Sequence, residues 1–220
     1  YSQYGYGGQG LLLRKLSGLA APRILILGGG NAGFNAAQVA IGLGLNVTIM
    51  EASWSRIEYL RNNIPQADVV YWDQYILTEL LSECDVFINT IYTRPGQPTL
   101  VTREMVRKMK RSALIIDIVG SGVIETCHYT TLGDPIYFEE GILHYNVDNM
   151  PSLCPQTATT KLLMITGPYI TAIANKGLKQ ALTDDKALRK SIFTLHGKIV
   201  HHEVGIHQNM PYEEFDIAML

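Results

Sequence analysis

The sequence predicts a doubly wound α/β fold, a parallel sheet with helices on both faces. Three observations predict it. Short β-prone runs, apolar throughout rather than alternating, recur between Pro22 and Asp117. Helix patterns separate them one for one, the arrangement that builds crossover units. A glycine-rich turn joins the first run to the first helix.

In order, residues 23–27 (RILIL) read as a strand, and residues 32–43, rich in small side chains, as a helix. Residues 46–50 (NVTIM) form the second strand and 55–63 the second helix. Residues 68–71 are a strand, 75–82 a helix and 85–89 (DVFIN) a strand. Thr102 is a helix N-cap for a helix running to residue 110. Residues 113–117 (ALIID) close the series.

After Asp117 the pattern changes. Residues 135–138 and 142–147 flank Glu139-Glu140-Gly141, a turn-linked pair of strands. Residues 157–175 read as one long helix interrupted by Gly167-Pro168, where the proline should kink it. The tail predicts a short helix at 184–190 and little regular pattern beyond.

Bulk properties set limits. The chain has 220 residues, 47% of them hydrophobic, enough for one large domain or a domain plus part of another. Its formal net charge of −2 offers no surface for nucleic acid or an anionic membrane. No apolar run approaches the ~20 residues that cross a bilayer. Cys84, Cys127 and Cys154 are too few and too scattered for a disulfide framework or a zinc site, so they read as reduced thiols in a cytoplasmic protein, and no metal is expected.

Gly28-Gly29-Gly30-Asn31-Ala32-Gly33 fits G-x-G-x-x-G, directly after a strand and opening a helix. Gly28 permits the sharp turn, Gly30 lets backbone approach a pyrophosphate, and Gly33 lets helix and strand pack closely. The helix-start amides, of Asn31 and Ala32 among others, then face the phosphates. Glu51 ends the second strand, 21 residues after Gly30. A carboxylate there accepts hydrogen bonds from ribose hydroxyls and repels a 2′-phosphate, which selects NAD over NADP. This is the fingerprint of a Rossmann domain. The alternatives are a glycine turn without a nucleotide, and FAD, for which no second characteristic segment is present. Thr90-Ile91-Tyr92 follows the strand ending at Asn89, at the carboxyl edge where nucleotides sit, so Thr90 and Ile91 join the candidate site by position.

Four segments carry a family resemblance: ILILGGGNAGFNAAQVAIGLGLNVTIME, RPGQPTLVTREMVRKMKRSALIIDI, HYTTLGDPIYFEEGILHYNVDNMPS and ANKGLKQAL. From Gly7 to the C-terminus, the sequence resembles the later part of the alanine dehydrogenase family. The cofactor subunit of proton-translocating transhydrogenases is a more distant likeness. The resemblance implies an NAD-binding domain over residues 11–151, inserted into a substrate domain whose returning part is 152–220. Residues 1–10 are then a linker or the cut end of something longer, the second being favoured by the Tyr1 start.

The implied activity is oxidation of L-alanine to pyruvate and ammonia by hydride transfer to NAD, in a cytoplasmic homo-oligomer, commonly a hexamer. The implied partner is a small amino acid or keto acid, and neither nucleic acid nor membrane is expected. The chain is a fragment or a divergent form of such an enzyme. The alternative is an NAD-binding or sensing module without catalysis. In the family, the carboxylate-binding residues and the catalytic histidine precede the segment seen here. No catalytic residue is therefore assigned, and the six histidines read as structural or surface groups.

The resemblance places Asn149 near the nicotinamide, where its amide can hold the cofactor carboxamide; it can equally be a turn residue before Met150-Pro151. The loop after the last parallel strand departs from the family. Asp117-Ile118-Val119-Gly120-Ser121-Gly122 is about two residues shorter and lacks the aspartate that takes part in catalysis. Asp117 ends the strand and is not its equivalent, and Ser121 is a poor substitute. Gln156 stands where many relatives have a basic residue.

Overall fold

A computed structural model describes residues 1–93, 98–120 and 122–220. They form two compact units, Tyr1–Met150 and Pro151–Leu220.

The first unit opens its sheet with β1 (Arg23–Leu27), which leads into α1 (Asn31–Gly42). β2 (Asn46–Glu51), α2 (Trp54–Asn63), β3 (Asp68–Tyr71) and α3 (Gln74–Glu83) follow. Then come β4 (Val86–Asn89), α4 (Arg103–Arg107) and β5 (Leu114–Asp117). β6 (Ile136–Glu139) and β7 (Ile142–Tyr145) complete the sheet, in the order β3-β2-β1-β4-β5-β7-β6. Every pairing is parallel except β6 with β7. The doubly wound expectation therefore describes the sheet, with one antiparallel edge strand.

The period of two along each strand splits the core in half. Leu25, Leu27, Met50, Phe87 and Ile115 face Leu77 and Leu81 of α3 and Met105 and Val106 of α4. Ile24, Ile26, Val47, Ile49 and Leu114 face Ala37 and Ala40 of α1 and Ile57 and Leu60 of α2. Alanines on α1 keep that helix close to the strands. The chain changes face between α2 and α3, so β1 and β4 are neighbours joined by no direct connection. Their carboxyl ends border the switch point where such sheets take ligands.

Side-chain caps fix the helix starts. Asp73 accepts from the Tyr75 and Ile76 amides at α3, and Thr102 from Met105 at α4, as expected. The two-residue turn between β6 and β7 has Glu140 at φ 53° and Gly141 at φ 75°, the left-handed pair a tight hairpin requires. Glu140 also accepts from Arg103 and Arg107 of α4, which ties that helix to the hairpin. Near the chain start, the Tyr1 ring lies 5.4 Å from that of Tyr145.

In the second unit, α5 (Pro155–Lys176) is a single helix that continues through Gly167-Pro168, where the sequence suggests an interruption. Proline removes one amide from the ladder, and one missing bond does not stop a helix of this length. It exposes Leu162, Leu163, Met164, Ile165 and Ile170. No helix among the described residues is long and apolar enough to cross a membrane.

The tail is more regular than its sequence suggests. Asp185 caps α7 (Lys186–Lys190), so the helix expected at 184–190 starts two residues later, and α6 (Leu178–Asp184) is a further helix before it. β8 (Thr194–Leu195) and β9 (Lys198–Ile199) form a hairpin, and α8 (His202–Gln208) follows.

Candidate functional site

The carboxyl ends of β1, β2 and β4 bring together most of the residues singled out in the sequence. Gly28 turns the chain at φ 94°, its amide donating to the Met50 carbonyl at 2.9 Å. A β-carbon on Gly28 would lie 2.8 Å from Thr90 Oγ1. One on Gly33 would lie 1.9 Å from the Gly28 carbonyl oxygen, so α1 can cross the turn this closely only with glycine there.

Gly30 differs from both. A β-carbon at Gly30 would meet nothing within 4 Å, and the residue sits at φ −62°, ψ −166°, a conformation open to any side chain. Packing within the chain therefore gives no reason for glycine at this position. Gly30 is also the N-cap of α1, and no side chain caps that helix. Among the described residues, the first-turn amides of Asn31, Ala32 and Gly33 have no side-chain acceptor, the state expected where an anion is to be received.

Thr90 braces the turn. Its hydroxyl donates toward the Leu27 and Gly28 carbonyls, both at 2.9 Å. Ile91 lies beside it, its amide donating to Asn89 Oδ1 at 3.1 Å. Glu51 is half-buried at the end of β2. Its Oε2 accepts from the Gly29 amide at 2.8 Å, and its Oε1 from Ala52 and Ser53 at 2.8 and 2.9 Å. Three backbone amides thus hold this carboxylate against the glycine turn, with lone-pair capacity left on Oε2.

Asn149 stands apart from this group. It is exposed, in the left-handed region at φ 57°, and lies beyond the end of β7. β4 and β5 separate β7 from β1, a span of about 14 Å at the usual strand spacing. The backbone conformation accounts for a turn-forming asparagine, and the side chain is exposed.

Sequence reasoning missed two features. Arg56, on α2, donates from Nε to the Gly29 carbonyl at 2.5 Å, and its Cζ sits 4.4 Å from the centre of the Tyr59 ring. Nothing in a polar helix position signals that contact. The second feature is Asp117, wholly buried in register with Asn89. Its Oδ1 accepts from Asn89 Nδ2 at 2.9 Å and from the Val119 and Gly120 amides at 3.1 and 3.0 Å. It pins the start of the shortened loop and is closed to solvent. Ser121, in that loop, lies outside the described residues.

Nearby titratable groups are also structural. Burial, and then the Asp117 carboxylate, push the Cys127 thiol above its usual range, so it stays protonated. His144 is buried, with Nδ1 3.0 Å from the Ile142 carbonyl and Nε2 2.8 Å from Thr126 Oγ1. Burial lowers its pKa, which favours neutral imidazole. Among the described residues, no cluster suits a metal ion.

The geometry fits a dinucleotide: an open flank at Gly30, an uncapped helix start, and a carboxylate poised at the second strand. Residues 1–202 match the family model described as alanine dehydrogenase/PNT, C-terminal domain. The chain is 37% identical over 213 residues to an alanine dehydrogenase of Geobacillus stearothermophilus, covering 95% of this chain and 57% of that protein. It is 39% identical over 223 residues to alanine dehydrogenase 1 of Staphylococcus aureus, covering 97% and 60%. Among solved structures, an L-alanine dehydrogenase superposes with a TM-score of 0.87 at 33% identity, covering 94% of this chain and 58% of that one. A transhydrogenase from Sinorhizobium meliloti shares the fold, with a TM-score of 0.61 at 22% identity. The chain spans about three-fifths of the length of the curated relatives named here. It belongs to the alanine dehydrogenase/PNT family and carries that family's C-terminal domain.

Proposed function

We propose that the chain binds NAD at the glycine turn and supplies the cofactor half of an L-alanine-oxidising dehydrogenase. The observation that carries this reading is the free flank of Gly30, since packing explains the glycines at 28, 29 and 33 but not Gly30. In the proposal, Gly30 and the amides of Asn31, Ala32 and Gly33 hold the pyrophosphate. Glu51 receives the ribose hydroxyls, Thr90 and Ile91 flank the nucleotide, and Asn149 holds the carboxamide. Bound NAD supplies a hydride acceptor. The protein's part is to fix the nicotinamide's place and to exclude water around it. Residues 11–151 would serve as the NAD-binding domain, and 152–220 as part of a substrate domain. Three free thiols fit a reducing compartment, so action in the cytoplasm belongs to the proposal.

A binding module without catalysis is favoured by one observation. The carboxylate at the start of the shortened loop, Asp117, is fully buried, with Oδ1 held by the Asn89 amide and two backbone amides, so burial keeps it from standing in for the aspartate the family uses. Cofactor preference tests what both readings share. NAD should bind more tightly than NADP, and Glu51→Ala should narrow the difference. Equal affinities in the unaltered protein would contradict the assignment of Glu51.

A further inference from the structure

We propose that Arg56 is a second cofactor-specificity residue, held ready for a phosphate on the adenosine ribose, and that Glu51 is what keeps the site from using it. The inference rests on the proposed NAD site and extends it. Glu51 and Arg56 are latched to one residue from opposite ends. The Gly29 amide donates to Glu51 Oε2 at 2.8 Å, while the Gly29 carbonyl accepts from Arg56 Nε at 2.5 Å. Both charged groups are therefore fixed at the same point of the glycine turn, beside the end of β2 where a ribose would lie.

Among the described residues, the arginine has no carboxylate partner. Its guanidinium rests on the Tyr59 ring, with the centre of the Phe34 ring 5.8 Å from Cζ. Nε makes the backbone bond, and among the described residues the Nη groups show no acceptor. Glu51 does not take it, because that carboxylate is turned to the amides of Gly29, Ala52 and Ser53. An arginine fork with both Nη groups open matches the two oxygens of a phosphate. A ribose bearing only hydroxyls gives the fork no anion, and a 2′-phosphate would, but Glu51 would face the same phosphate as a like charge. One glycine thus holds an attractive and a repulsive element for the same group, and removing the repulsive one should expose the other.

The test is titration of the 220-residue chain with NAD and with NADP, in wild type, Glu51→Ser, Arg56→Met and the double variant. Glu51→Ser should raise NADP affinity by about tenfold or more, the scale of one charge-assisted hydrogen bond. That gain should vanish in Glu51→Ser/Arg56→Met and survive only in part in Glu51→Ser/Arg56→Lys, which keeps the charge and loses the fork. If serine at 51 disturbs the fold by releasing three amides, Glu51→Gln gives the same comparison. A gain that persists without Arg56, or no gain at all while NAD still binds, overturns the inference and leaves the NAD reading standing. Wild-type protein that binds neither cofactor overturns the NAD reading, and the inference with it.

Discussion

At the scale of single residues, the glycine turn separates two demands that the fingerprint merges. Gly33 answers to packing and Gly30 to a ligand. Gly33→Ala forces a β-carbon against a backbone oxygen, which cannot swing away, and should cost on the order of 1–3 kcal/mol or more. Gly30→Ala enters open space and should leave the melting temperature nearly unchanged. Thermal unfolding of both variants checks this, and equal destabilisation would contradict the account of the turn. The spacing of Gly28, Gly30, Gly33 and Glu51 was legible in the sequence because the motif is local and its geometry depends on few atoms. Arg56 was not legible. Its partner carbonyl is 27 residues away, and on a mostly polar helix an arginine looks like ordinary solvent-facing surface. Asp117 was read as the end of a strand, which it is. Its bond to Asn89 appears only when β4 and β5 are set in register.

At the scale of elements, sequence patterns worked where strands were apolar on both faces and helices had caps. They faltered in the tail. β8 and β9 are two residues each, too short to show a period, and their turn depends on His196 and Gly197 at φ 48° and 78°. The boundary at Asp185 was blurred because Asp184 and Asp185 both resemble caps, while only Asp185 accepts from the Leu188 amide. Between elements, an ionic link ties α4 to the β6–β7 turn. Arg107 and Arg103 hold the Glu140 carboxyl down to about 2, well under its ordinary value of 4.5. A carboxylate whose pKa is depressed in the folded state contributes stability above its unfolded value, and loses that contribution as pH falls through the folded one. The melting temperature of wild type should therefore drop more steeply than that of Glu140→Gln as pH falls from about 4.5 towards 2. Parallel curves for the two proteins in that window would show that the link carries no stability.

At the scale of the whole molecule, the proposed nucleotide site draws on three strand ends, and the titratable groups near it among the described residues are structural. Among the described residues His144 is buried and hydrogen-bonded on both nitrogens, Cys127 is held protonated, and Asp117 is fully buried. Proton transfer to or from substrate requires a group within reach, and hydride acceptance alone gives little acceleration. The 220 residues by themselves should therefore form no appreciable NADH from L-alanine at alkaline pH. Turnover comparable to an intact alanine dehydrogenase would mean that the acid–base group lies within this chain.

The central claim, that the turn at Gly30 is where the cofactor's phosphates meet the backbone, is tested most directly by calorimetric titration of NAD into wild type and Gly30→Val. The valine enters unfilled space at an allowed backbone conformation, so circular dichroism and thermal stability should remain those of wild type. Its branched side chain then occupies the approach to the α1 amides. The account predicts saturable NAD binding by wild type and a loss of affinity of about tenfold or more in the variant. Unchanged NAD affinity in a natively folded Gly30→Val would place the phosphate site elsewhere and contradict the account.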